Sequence, residues 1–316
     1  MKRIFSRFLG TIVIVILALT VMLGTDKNRT IVQAGMGSVW TITQTDAQKT
    51  SIAIKWSAAE RATSYNVYIA PYENNNEFQF VKNTTETNIK ITGLKPGTKY
   101  SVRLIPCQGE VTGRITNGIV VTLPDKLYGL KEYEWWASFK KIVITWDQLS
   151  GADGYEAVLY NSKGKKIDQT TATNSITTFY GVKDKFCKVK VRAYVTFNKK
   201  KYYSAWKTIY CVQQPKVKKC KVSGKKLNVS WNKVTGATGY KVYVSTTDGK
   251  NFKKVTTLGK NATSYSLSKF KGKKISSKKT YYVYVEAVCN KGKTKNDSGA
   301  LFYWNSKNKN YEIVDE

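Results

Sequence analysis

Histidine is absent from all 316 residues, which removes His-based triads, His general bases and almost every common catalytic zinc site. Carboxylates are scarce, 21 Asp and Glu against 53 Lys and Arg. The densest acidic group is Glu132, Glu134, Asp147, Asp153 and Glu156, and its spacing is that of strands and turns rather than of a glycosidase pair. Cysteines number five, Cys107, Cys187, Cys211, Cys220 and Cys289. That odd count leaves at least one without an intrachain partner, and no two have metal-ligand spacing. A nucleophilic cysteine would have no His to activate it. Phosphate-loop, nucleophile-elbow and calcium-loop patterns are missing as well. No enzyme and no cofactor is expected. An Arg-Gly-Asp motif and a C-terminal Leu-Pro-x-Thr-Gly signal are also missing, so attachment through either is not expected.

What is present begins with a leader. Lys2, Arg3 and Arg7 precede an uncharged run from Leu9 to Leu23, which suits a signal-peptide core and is short for a membrane span. Val32-Gln33-Ala34 resembles a small-residue cleavage site. Residues 1–34 are read as a signal peptide or an uncleaved N-terminal membrane anchor, and both readings export the chain to the cell surface or beyond it.

The net charge of +32 is distributed unevenly. Residues 35–124 carry nine basic and six acidic side chains, residues 125–213 sixteen and eight, and residues 214–305 twenty-one and three. The last segment, at +18, repels itself and is expected near a polyanion. Its basic residues are all Lys, with no Arg after Arg192. Lys is a hydrated point charge rather than a bidentate fork, which favours loose, salt-sensitive attraction.

An internal repeat decides the fold. An alternating strand ending in Trp is followed nine residues later by a Tyr that opens another strand. The pairs are Trp56 and Tyr65, Trp146 and Tyr155, and Trp231 and Tyr240. Period-two runs follow at Tyr100–Leu104, Cys187–Ala193 and Tyr281–Ala287, each a strand with one buried face. The sequence reads as all-β. Leu123-Pro124-Asp125-Lys126 and Gln213-Gln214-Pro215 are the natural joints, and their brevity predicts a semi-rigid rod with a reach of roughly 100 Å.

These residues resemble the fibronectin type III family, most specifically at Leu94-Lys-Pro-Gly-Thr-Lys-Tyr100 and Tyr281-Tyr-Val-Tyr-Val-Glu-Ala287. The resemblance is to the secreted or surface type found in bacteria. It implies three tandem seven-stranded, immunoglobulin-like β-sandwiches at 35–124, 125–213 and 214–305, followed by a polar tail at 306–316. Trp56, Trp146, Trp231, Tyr65, Tyr155 and Tyr240 are then core residues, and Tyr100 and Tyr281 take the tyrosine-corner position. The second copy departs from the family in having Cys187 there. The third carries an insertion, Lys269 to Lys279.

Three groups of candidate site residues remain. A hairpin turning at Asn198–Lys200 places Cys187 opposite Cys211, where a disulfide or two buried thiols would fit. Lys218, Lys219, Lys225, Lys226, Lys253, Lys254, Lys271, Lys273, Lys274, Lys278, Lys279, Lys291, Lys293 and Lys295 are candidates for polyanion binding or a solvated surface. Adjacent Trp135 and Trp136 must point to opposite faces of a strand, so one ring is expected outward or at a domain contact. The expected function is a non-catalytic extracellular binding or spacer protein held by its third domain to an anionic cell-wall polymer or polysaccharide. Nucleic acid is a less favoured partner. The alternative is an accessory module that binds glycan or protein through exposed Trp, beside a carbohydrate-active enzyme or an adhesin.

Overall fold

The computed structural model describes residues 37–74, 76–136, 139–307 and, as backbone, 311–313. The expected leader at 1–34 lies outside the described residues. Alternating burial drives the chain into antiparallel strands, for example along Phe186–Phe197, where every second residue is buried. The strands assemble into three successive sandwiches, each enclosing its own apolar core.

The first sandwich packs a sheet of Ile42–Ala47, Ser51–Trp56 and Asn88–Thr92 on a sheet of Gln79–Thr84, Ser64–Pro71 and Lys99–Gln108, with Val111–Thr112 and Thr116–Val121 at its edge. The second and third repeat that order. In each copy the seventh strand is broken in two, both pieces pairing with the same neighbour. In the second and third, a serine closes the break. Ser204 N–H donates to Ala193 O at 2.9 Å and Ser298 N–H to Ala287 O at 2.9 Å, while the opposing amides return a bond to each hydroxyl.

The Trp–Tyr repeat forms the centre of every core. Ring centroids lie 5.5 Å apart for Trp56 and Tyr65, 5.1 Å for Trp146 and Tyr155, and 5.6 Å for Trp231 and Tyr240. Each Tyr also ties down the loop before it: its hydroxyl accepts from Ala59 N (3.0 Å), Leu149 N (2.7 Å) or Val234 N (2.9 Å), always six residues upstream. Nine residues between Trp and Tyr are what this closure needs. Tyr240→Phe should therefore cost about 1–2 kcal/mol, because it removes the acceptor of the Val234 amide while keeping the ring. Chemical denaturation would measure it. Tyr100 and Tyr281 form the corners, accepting from Lys95 N at 2.7 Å and Ser276 N at 3.2 Å.

Both joints are packed. At the first, Gly97 and Gly151 lie backbone to backbone with φ of +62° and +77°, and a Cβ on Gly151 would sit 2.5 Å from Gly97 O. Lys49 pairs with Asp125 beside them at 3.1 Å. Gly151→Ala combines a disfavoured φ with a backbone clash. It should cost about 1–3 kcal/mol and separate the first two sandwiches, which small-angle scattering would detect.

At the second joint, a bulge at Tyr133 resets the alternation of the strand Lys131–Trp136. Trp135 consequently turns into the second core, and Trp136 leaves it to join the third core, 4.6 Å from the Phe302 ring. Gln214 locks the joint from both sides of its amide, donating to Phe302 O at 2.7 Å and accepting from Leu301 N at 2.9 Å.

The tail differs from expectation. Tyr311–Ile313 pairs with Phe302–Asn305 and adds a strand to the larger sheet of the third sandwich, because Phe302–Asn305 pairs with Tyr282–Lys291 on one side and leaves its other edge open.

Candidate polyanion-binding pole and junction cleft

All fourteen lysines singled out in the third sandwich are exposed, and none takes part in an ion pair among the described residues. The strand registers sort them into two groups. Ser223 pairs with Lys226, Leu227 with Leu267, Val244 with Lys253 and Ser245 with Tyr282. These pairs define the end of the sandwich remote from the second one. Lys225, Lys226, Lys253, Lys254, Lys271, Lys273, Lys274, Lys278 and Lys279 gather at that pole.

Two tight hairpins build the pole. Gly224-Lys225 and Lys271-Gly272 are two-residue turns in which both residues have positive φ, 60° and 59° in the first and 47° and 77° in the second. That is the turn geometry matching the twist of paired strands, and it sets a lysine at each tip. The insertion Lys269–Lys279 makes the second hairpin, Lys269–Phe270 against Lys273–Lys274. It is anchored by buried Phe270 and Ile275. Among the described residues one carboxylate stands nearby, Asp248, and it already accepts from the Tyr303 hydroxyl at 2.7 Å.

Lys218, Lys219, Lys291, Lys293 and Lys295 lie instead toward the second sandwich. Lys291 reaches across the joint, its ammonium 4.8 Å from the Tyr210 ring centre and 5.5 Å from that of Phe186. The fourteen lysines therefore do not form one patch; nine share a pole and five do not.

Facing the joint, the outer surface of the larger third sheet and the strand Lys131–Trp136 enclose a cleft of about 730 Å³. Lys241, Glu286 and Asp297 form its floor, with Thr257 and Asn290 beside them, and Glu132 and Tyr133 line the opposite wall. Lys241 and Asp297 are ion-paired. Glu132 is 3% exposed. Its Oε2 accepts from Val212 N at 3.0 Å and Asn296 Nδ2 at 3.1 Å, while its own amide donates to Asn296 Oδ1 at 3.1 Å. Oε1 has no hydrogen-bond partner of its own, and the Cys211 thiol lies near the carboxyl. Burial holds the Glu132 carboxyl well above the usual carboxylate range. It does the same, less strongly, to Glu286, with Asp297 adding to the rise. Glu132 was legible in the sequence only as one of a sparse acidic group. An acidic residue in a strand that ends in two tryptophans is the signal that could have marked it.

Cys187 and Cys211 stand directly opposite in the register, both fully buried with free thiols. Desolvation pushes Cys187 up to about 12 and raises Cys211 further, so both act as small apolar residues.

Of the two places expected for one ring of the Trp135–Trp136 pair, outward or at a domain contact, the structure shows the domain contact, taken by Trp136, and the reading of these rings as surface aromatics is corrected. Trp135 is 1% and Trp136 6% exposed, because the bulge at Tyr133 aims one ring into each of two cores. Neither is available to a glycan or a partner protein. The outward aromatics are others, Trp40 at 83% and Tyr180 at 75%, which carry no repeat signal.

Comparison with known proteins places a fibronectin type III domain at residues 37–122, the stretch that matches the family model. Among solved structures the chain is similar to the FN1–FN3 domains of chicken CNTN1, at 18% identity over 90% of this chain and 100% of that one, with a TM-score of 0.31. It is also similar to a segment of two fibronectin type III domains from chicken tenascin, at 14% identity over 55% of this chain and 99% of that one, with a TM-score of 0.39.

Proposed function

We propose that the chain is a non-catalytic binding and spacer protein acting outside the cell, held to an anionic polymer of the cell envelope by the lysine pole of its third sandwich. Fibronectin type III domains are commonly extracellular binding or spacer modules. The second and third sandwiches, which repeat the strand order and the Trp–Tyr pair of the first, are read as further copies. The leader exports the chain and either is removed or stays as a membrane anchor.

The observation that carries this reading is the gathering at one end of nine lysines that form no ion pair among the described residues. Ammonium groups held close together without counter-charges attract a flexible polyanion, and each contact releases condensed counterions. The two packed joints would hold that pole at a fixed distance from the first sandwich.

The test is capture of the full chain on Gram-positive cell walls, with and without their teichoic acid, across a salt series. Capture that needs the polymer and fades as salt rises is expected. Salt-independent capture, or equal capture on stripped walls, would overturn the assignment. Stronger retention on single-stranded nucleic acid than on the polymer would transfer it to that partner.

A further inference from the structure

We infer that the outer face of the larger sheet in the first sandwich is a docking surface for a polypeptide segment of a partner protein, one that presents an acidic side chain flanked by apolar residues. This goes beyond the electrostatic function proposed above and does not depend on it.

The strand register assembles the surface. Tyr68 pairs with Phe80 on one side and Arg103 on the other, and Arg103 pairs with Asn117. Paired residues share a face of the sheet, so these four form one row across four strands, about 14 Å long at ~4.8 Å per strand. The row points outward, because Val67, Val102 and Leu104, which alternate with it, fill the core. It is left uncovered: Phe80 is 58% exposed, and beside the row Tyr72 and Ile119 are 46% and 39% exposed. Tyr68 and Phe80 pack edge to face with ring centres 5.4 Å apart. In a chain with 53 Lys and Arg, a row of two aromatic rings, one Arg and one Asn stands apart. Aromatic rings and Arg without Lys are the composition of interface centres and of the side chains that dominate binding energy.

Arg103 then selects the charge of the partner. Its guanidinium lies 3.8 Å over the Phe78 ring, and its Nε donates to Asn117 Oδ1 at 3.3 Å. No carboxylate among the described residues pairs with it. A pocket of about 350 Å³ opens there between Tyr72, Phe78 and Ile119, and Arg103 is the one charged residue lining it. The ring and the amide hold the planar fork in place, and a carboxylate meets such a fork with two parallel hydrogen bonds. A basic segment would be repelled, and a wholly apolar one would bury the guanidinium without a counter-charge. A lone small carboxylate would leave Tyr68, Phe80 and Ile119 in water. An acidic residue with apolar neighbours within three positions, about 10 Å along an extended chain, reaches Arg103 and Phe80 together.

The test uses the full chain and a set of N-acetylated, C-amidated peptides. Each carries one Asp or Glu between residues drawn from Leu, Ile, Phe and Tyr, and one Lys that makes it neutral, which removes general attraction to the basic chain. Fluorescence polarisation at about 0.15 M salt should show saturable binding of at least one peptide. Its counterpart with the acid changed to the amide and the Lys to Gln should bind at least tenfold more weakly. Arg103→Gln, which removes the charge, and Arg103→Lys, which removes the fork, should each weaken binding by about tenfold, as should Phe80→Ala. Both positions lie on the outer face, so unchanged thermal melts would show these losses to be local. No saturable binding by any acidic peptide overturns the inference, and so does equal binding of the amide counterpart or full binding by Arg103→Gln or Phe80→Ala. Capture of the Arg103→Gln protein on teichoic acid should be normal, which separates failure here from failure of the lysine pole.

Discussion

Glu132→Gln should stabilise the junction of the second and third sandwiches at neutral and alkaline pH and flatten its pH dependence. In the wild type, Glu132 lies inside the joint with Oε2 satisfied by Val212 and Asn296 and the Cys211 thiol near the carboxyl. Desolvation raises its pKa well above the ordinary 4.5, and the charge of Asp297 adds to the effect. The folded protein therefore keeps a proton that the unfolded chain releases. The contribution to stability is complete below the ordinary pKa. It falls as pH rises above about 4.5 through the raised folded value, where burying the ion becomes a full cost. Glutamine carries no charge at any pH and preserves the oxygen that accepts from Val212 and Asn296. The gain at pH 8 should be about 1–3 kcal/mol, the scale on which a neutral replacement of a buried charge acts. Glu132→Ala should instead destabilise at every pH, since it leaves the Val212 amide and the Asn296 side chain without their acceptor. Thermal melts of the three proteins between pH 4 and pH 9 decide the matter. Parallel wild-type and Glu132→Gln curves would mean that Glu132 does not carry the pH dependence.

Replacing Lys271, Lys273, Lys274, Lys278 and Lys279 together by Gln should lower affinity for teichoic acid by tenfold or more at about 0.1 M salt. It should also flatten the dependence of log affinity on log salt by roughly 0.7–0.9 per lost contact, the increment known for phosphate polymers. All five side chains are exposed and unpaired, so the fold should be unaffected. The matched control is Lys291, Lys293 and Lys295 changed to Gln. Those residues lie at the opposite end of the same sandwich, and their loss should leave most of the affinity and slope in place. Equal effects per lysine removed would mean that total charge, rather than its gathering at one pole, governs attraction.

The strand pattern was legible because it is local. Alternation, Gly-containing turns and the nine-residue Trp-to-Tyr spacing act over one short connection between successive strands, where the Tyr hydroxyl reaches an amide six residues back. The opposition of Cys187 and Cys211 was legible for the same reason, since a hairpin register follows from the position of its turn. Lysine exposure also followed from composition, because a solvated ammonium has nowhere else to go. That one of Trp135 and Trp136 could sit at a domain contact followed from their adjacency, but which of the two does so was not legible. The bulge at Tyr133 is one residue long, and only pairing with Lys141–Thr145 reveals it. The pairing of Tyr311–Ile313 with Phe302–Asn305 likewise depends on the edge that Phe302–Asn305 leaves open in the assembled sheet.

The amino-acid sequence by itself determined that this protein is all-β, built on a Trp–Tyr repeat and strongly basic toward its C-terminal third. Periodicity and composition are properties that neighbouring residues impose on one another. Only the tertiary structure decided that nine lysines share one pole while five do not, that a glutamate is sealed into the second joint, and that a cleft opens beside it. Those facts depend on which distant strands face each other across a sheet or a joint, a choice made by the packing of complete sandwiches and not by any single segment.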